Sequence, residues 1–120
     1  MNNYILEKRT SETIYYDIDC TLILDTDETI TTVISVEADQ TGLVILAPAV
    51  NAAPVVFPDG TIAAIGKVIS VQISEGTIQT KQINQLYTIR AIFNTTLGNI
   101  REGTVLLNVT NIPVQTGRVI

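Results

Sequence analysis

Apolar and polar residues alternate along most of this chain with a period of two. In residues 13–24 the apolar positions that share one face of an extended segment are Ile14, Tyr16, Ile18, Cys20, Leu22 and Leu24. This alternation predicts one long strand, or two strands joined by a kink, with one buried face. The pattern makes Cys20 a small core residue. The acidic residues 25–28 end the segment as a turn.

The same period recurs further along the chain. Strands are predicted over residues 30–36, 43–46, 61–65, 67–73, 86–93 and 100–109. Residues 47–60 contain three prolines, which lack the amide hydrogen that a central strand needs, so this segment is predicted to be a loop. Short strands without an amphipathic helix predict an immunoglobulin-like antiparallel β-sandwich, with an open β-barrel as the alternative.

Length and composition fit a single all-β domain. Of the 120 residues, 47 are Ile, Val or Thr, whose branched side chains suit strands. We expect an N-terminal arm over residues 1–12, the sandwich over residues 13–110 and a C-terminal tail over residues 111–120. The N-terminus is too polar for a signal peptide and no apolar run has the length of a bilayer, so we expect synthesis in a cytoplasm and no membrane association.

Tyr87 stands at the head of the penultimate predicted strand. In immunoglobulin-like sandwiches a tyrosine at this place turns its hydroxyl onto an upstream backbone group and ties the corner between the two sheets. The aromatic ring then fills the core edge while the hydroxyl keeps a partner. We therefore predict a structural role for Tyr87.

Composition excludes most catalytic chemistry. The chain has no histidine and one cysteine, which excludes histidine-based triads and Cys/His zinc sites. Its net charge of −5 argues against a nucleic-acid partner. We expect no catalytic residue and no cofactor.

Five acidic residues are a candidate ion-binding site. It comprises Asp17, Asp19, Asp25, Asp27 and Glu28. An EF-hand calcium loop starting at Asp25 is excluded, because Ile30 stands where that loop needs glycine. The alternative is that these are solvated strand and turn charges, which protect sheet edges from pairing.

Apolar residues outside the predicted strands are candidates for contacts with other proteins. In the proline-rich segment they either fold back on the core or face a neighbour, and in the two termini we expect them to order against neighbours. These candidates are Tyr4, Ile5, Leu6, Val50, Val55, Val56, Phe57, Val114, Val119 and Ile120.

Several short motifs stand in a specific order. Residues 8–19 read K-R-T-S-E-T-I-Y-Y-D-I-D and residues 25–30 read D-T-D-E-T-I. A G-T pair at 76–77, Y-T-I at 87–89, a turn ending at Gly98 and a closing strand with Arg101 and Glu102 follow. Over residues 8–110 this order resembles the immunoglobulin-like fibre-tail adaptors of tailed phages. Cys20 replaces the usual aromatic residue, and residues 43–66 are longer and richer in proline than in that family.

The resemblance implies a non-enzymatic structural protein of the virion. Such a protein is made in the host cytoplasm and bridges tail, neck or fibre subunits in several copies. A capsid decoration protein and a carbohydrate- or cell-surface-binding module are the alternatives. The last is less favoured by composition, since sugar binding uses exposed aromatic rings and the chain is 5% aromatic with no tryptophan.

Overall fold

The fold is described from a computed structural model, which places residues 5–111. These residues contain no α-helix and one 3₁₀-helix, Thr21–Ile23. The strands, in chain order, are β1 (Leu6–Arg9), β2 (Ile14–Asp19), β3 (Ile30–Ala38), β4 (Leu43–Val50), β5 (Val55–Val56), β6 (Ile62–Ala63), β7 (Val68–Glu75), β8 (Asn84–Thr95) and β9 (Ile100–Thr110).

Two sheets form the domain. One has the order β1-β9-β8-β3 and the other the order β2-β7-β4, while β5 and β6 form a separate short hairpin. All pairs are antiparallel except β1 with β9, which run parallel. The rows β9-β8-β3 and β2-β7-β4 follow the G-F-C and B-E-D orders of immunoglobulin-like domains. The predicted all-β sandwich is confirmed, and the chain does not close into a barrel.

The core lies between the inner faces of β7 and β8. Burial alternates along both strands, because successive side chains of a strand point to opposite faces. Residues with less than 2% exposure on these faces include Ile69, Val71, Ile73, Tyr87, Ile89, Ala91 and Phe93. The period of two predicted for these two strands is therefore confirmed.

The segment after β2 differs from the predicted long strand. β2 ends at Asp19, whose carboxylate accepts hydrogen bonds from the backbone N–H and the hydroxyl of Thr21, at 3.0 and 2.6 Å. The 3₁₀-helix that follows breaks the period of two. Leu24 returns to the core, whereas Leu22 is 70% exposed and not on a buried face.

The proline-rich segment contains more strand than predicted. β4 continues through Pro48 to Val50, and its register with β7 shifts between Leu46 and Ala49. Because β4 is an edge strand, a missing amide hydrogen and a bulge are tolerated there. The prediction of a loop is also wrong for β5, which pairs with β6.

Part of the predicted N-terminal arm belongs to the larger sheet. β1 pairs with β9 from Leu6 opposite Leu107 to Arg9 opposite Thr110. Lys8 is 2% exposed and its Nζ donates hydrogen bonds to the carbonyls of Arg9 and Glu75. Burial lowers the pKa of Lys8, although nearby carboxylates oppose this. The lysine thus ties β1 to the end of β7 in the other sheet.

Tyr87 contacts the backbone at the corner between the two sheets, as its position predicts. Its hydroxyl donates a hydrogen bond to the Thr77 carbonyl at 2.7 Å and accepts one from the Thr77 N–H at 2.9 Å. Gly42, at a φ of +122°, packs against this hydroxyl, and a Cβ on it would lie 2.7 Å from the Tyr87 oxygen. Tyr87 therefore joins β8, the connection after β7 and the turn before β4.

Candidate functional site

A groove opens at one side of the sandwich, between the end of β2 and the edge of β9. Its volume is about 530 Å³. We call it the β9 groove. It is lined by Ile5, Leu6, Asp17, Ile18, Asp19, Thr21, Leu22, Ile23, Phe57, Asp59, Thr61, Ile62, Gly103, Thr104, Val105 and Leu106.

The groove follows a stretch of sheet edge that is open within residues 5–111. On one side β9 pairs with β8 from Ile100 to Thr110. On the other side β1 covers only Leu107–Thr110, so the described residues supply no strand partner for residues 103–106 there. An open edge presents backbone N–H and C=O groups to which another strand can pair.

Large apolar side chains surround this open edge. Phe57 lies among them and is half-buried. Several are well exposed: Ile5 (45%), Leu22 (70%), Ile23 (37%), Ile62 (65%) and Leu106 (37%). A contiguous apolar patch on a soluble domain typically marks an interaction surface, whereas isolated exposed apolar residues do not.

Gly103 sets the position of the 3₁₀-helix beside β9. A Cβ at this glycine would lie 3.1 Å from Ile23 Cδ1 and 3.6 Å from Cys20 Sγ. The small residue lets the helix pack closely onto the strand, which leaves Leu22 and Ile23 at the groove. Cys20 itself is buried, and burial together with Asp19 raises its pKa to about 12, so the thiol is not a nucleophile near neutral pH.

The rim of the groove is acidic. It includes Asp17 and Asp19 from the predicted acidic set, and also Asp59. Each carboxylate accepts a hydrogen bond from a neighbouring hydroxyl, those of Ser70, Thr21 and Thr61 respectively. An apolar groove with a negative rim favours a partner that carries apolar side chains and positive charge.

The other members of the acidic set, Asp25, Asp27 and Glu28, lie in the turn before β3, where Glu28 has structural contacts. Glu28 is fully buried. One carboxylate oxygen accepts from Arg101 Nε at 2.8 Å and from the Asp25 N–H at 3.0 Å. The other oxygen accepts from the Thr95 hydroxyl and the Asn99 amide, at 2.5 and 2.8 Å. Asp27 is exposed in the same turn.

These hydrogen bonds keep Glu28 ionised. Burial by itself raises the pKa of a carboxyl group, but the bonds from Thr95, Asp25, Asn99 and Arg101 outweigh it and lower the pKa of Glu28 to about 2.

The ammonium group of Lys67 lies in the same turn. Lys67 Nζ donates to the backbone carbonyls of Asp25, Thr26 and Glu28 at 2.9, 3.2 and 2.6 Å. Within residues 5–111 no three His, Cys, Asp or Glu side chains are grouped to hold a metal ion. The ammonium of Lys67 and the guanidinium of Arg101 therefore provide the positive charge in this turn.

The structure brings together part of the predicted contact set. Ile5, Leu6 and Phe57 line the groove. Val50 packs against the core, Val55 is half-buried, and Val56 is 67% exposed but not among the lining residues. The remaining candidates lie outside the described residues: Tyr4, Val114, Val119 and Ile120.

Four residues at the groove are not among the predicted contact residues: Leu22, Ile23, Ile62 and Leu106. The alternation places Leu22 on a buried strand face, and the other three lie within predicted strands. The acceptor Asp19 two residues before Thr21 is the signal for the 3₁₀ turn that carries Leu22 and Ile23 to the surface.

Compared with protein-family models and with curated protein sequences, the chain matches none. Over residues 5–111, no helix has the length and apolar character needed to cross a membrane. The resemblance to phage adaptors therefore stays a prediction from the motifs.

Proposed function

We propose that this chain is a non-enzymatic structural protein of a phage virion, an adaptor that links tail or neck to fibres through protein–protein contacts. The observation that carries the binding role is the β9 groove, where exposed apolar side chains border an open sheet edge. Addition of an extended segment to such an edge is a recurrent mode of protein recognition. The phage setting is supported by the ordered motifs of residues 8–110.

The chemistry of the groove supports binding rather than catalysis. Its three carboxylates each accept a hydroxyl hydrogen bond, its one nearby thiol is buried, and the sequence provides no histidine to act as a base. Apolar side chains with a charged rim are the usual composition of a protein-binding patch. Several copies of such a domain, each of which binds an extended segment, can connect larger subunits as an adaptor does.

The location is tested by labelling virions from the source of this gene. An antibody against the chain, followed by gold-labelled secondary antibody and negative-stain microscopy, is expected to mark the neck or the base of the fibres. Labelling spread over the capsid shell favours the decoration alternative. Purified particles that lack the chain altogether contradict a virion role.

A further inference from the structure

We propose that the β9 groove binds residues 112–120 of a second copy of this chain, which adds a β-strand along the open edge of β9. The proposal rests on the protein-binding role of the groove given above and names the partner. It makes the adaptor self-associating, so that copies join one another as well as other subunits.

The open edge has the length that a short added strand needs. Residues 103–106 extend over roughly 13 Å at about 3.3 Å per residue. A segment of four or more residues laid beside them gains main-chain hydrogen bonds, and alternate side chains enter the groove. Ile23 and Ile62 lie exposed at the groove to receive them.

Residues 112–120 have the matching chemistry. They read I-P-V-Q-T-G-R-V-I, with four aliphatic β-branched residues and one threonine. Such residues favour strands. Arg118 is the only charged side chain in the segment, and its sign is opposite to that of Asp17 and Asp19 on the rim. Opposite charges at an interface set orientation and favour encounter.

The direction in which the chain leaves β9 favours residues 112–120 of a second copy over those of the same chain. β9 ends at Thr110, and the Asn111 N–H donates to the Ile83 carbonyl on the β8 side at 3.0 Å. To enter its own groove the segment has to reverse and pass the edge that β1 covers, which is about 13 Å long at 3.3 Å per residue. That path uses roughly half of the nine residues and leaves only four or five for the open edge, whereas all nine residues of a segment from another copy are available to the groove. A segment from another copy has no such detour.

Residues 1–4 are the competing occupant, because they precede Ile5 at the groove. A parallel continuation of β1 would bring Asn2 and Tyr4 to the inward side that Leu6 and Lys8 occupy. Asparagine is depleted in strands, and an amide in an apolar groove needs hydrogen-bond partners. Residues 112–120 also contain Pro113 and Gly117, but a proline is tolerated in an edge strand, and their four aliphatic side chains make them the better match.

The test uses full-length chains that each carry one defect. The groove variant is Ile62→Asp, and the tail variant carries Val119→Asp and Ile120→Asp. Ile34→Asp is the matched control, since Ile34 is 52% exposed on β3 and is not among the groove residues. Circular dichroism of each variant first establishes that it is folded. Analytical ultracentrifugation then measures self-association up to about 1 mM, the range of weak interfaces.

The wild type and Ile34→Asp are expected to associate with concentration. The groove and tail variants are expected to weaken association at least about tenfold, because each loses the burial of aliphatic side chains. Mixing these two variants restores one intact groove and one intact tail, so a 1:1 heterodimer is expected.

Three results would overturn the proposal: a wild type that stays monomeric, a tail variant that associates normally, or a mixture that stays monomeric. In each case normal labelling of virions would leave the adaptor function standing. Loss of virion labelling with an intact heterodimer would instead remove the adaptor function alone.

Discussion

The substitution Tyr87→Phe tests the corner that joins the two sheets. It removes the hydroxyl and keeps the buried ring, so the packing against Ile89 and the rest of the core is conserved. Both hydrogen bonds with Thr77 are lost.

The size of the effect follows from these contacts. An intramolecular hydrogen bond contributes about 0.5–1.5 kcal/mol to stability, and a buried group left without its partner adds to the cost of removing one. Thr77 is exposed, so water can reach its backbone groups after the substitution. We therefore expect a loss of about 1–2 kcal/mol from the two bonds together.

Equilibrium urea unfolding measures this loss. With a slope of about 1–1.5 kcal/mol per molar urea, the midpoint is expected to fall by roughly 1 M. Tyr15→Phe is the matched control, since Tyr15 is 70% exposed and its change is expected to leave the midpoint unaltered. A Tyr87→Phe midpoint equal to that of the wild type would refute the corner role.

Three further experiments test other parts of the fold. Glu28 has a pKa near 2 in the folded chain against an ordinary 4.5, so its contribution to stability is present above pH 4.5 and is lost as pH falls towards 2. Glu28→Gln is therefore expected to destabilise the fold at pH 7, with a deficit in urea midpoint that shrinks between pH 4.5 and 2; a constant deficit contradicts this. Gly42→Ala is expected to lower the melting temperature more than Gly60→Ala, because both glycines have positive φ but only Gly42 has neighbours within 4 Å of an added Cβ. Equal shifts would show that contact with the Tyr87 hydroxyl is irrelevant. Cys20 is expected to react with a thiol reagent only in denaturant, and rapid labelling of the native chain would show that the thiol is not buried.

The sandwich was predictable because apolar residues at every second position of a strand lie on the face that is buried. β7 and β8 have apolar residues at every second position, and each such position faces the opposite sheet. Tyr87 was predictable for a related reason, since its place at the head of β8 and its amphipathic side chain both restrict its role.

The groove was less predictable because it depends on where strands stop. Period two continues through Leu22, but the hydrogen bonds from Thr21 to Asp19 end β2 and turn Leu22 outward. β1 carries little periodicity, and its place beside β9 depends on buried Lys8 bonding to the Glu75 carbonyl. The contacts of Lys67 and Arg101 were not predictable from neighbouring residues either, because their acceptors lie about 40 and 70 residues away in the chain.

The occupancy of groove variants in virions tests the binding role of the β9 groove directly. Particles assembled with Ile62→Asp or Ile34→Asp in place of the wild-type chain are purified, and the chain is quantified per particle by immunoblot. We expect Ile34→Asp to be incorporated at the wild-type level and Ile62→Asp to be lost from the particles although it is folded. Equal incorporation of the two variants would contradict the claim that the β9 groove makes the contact.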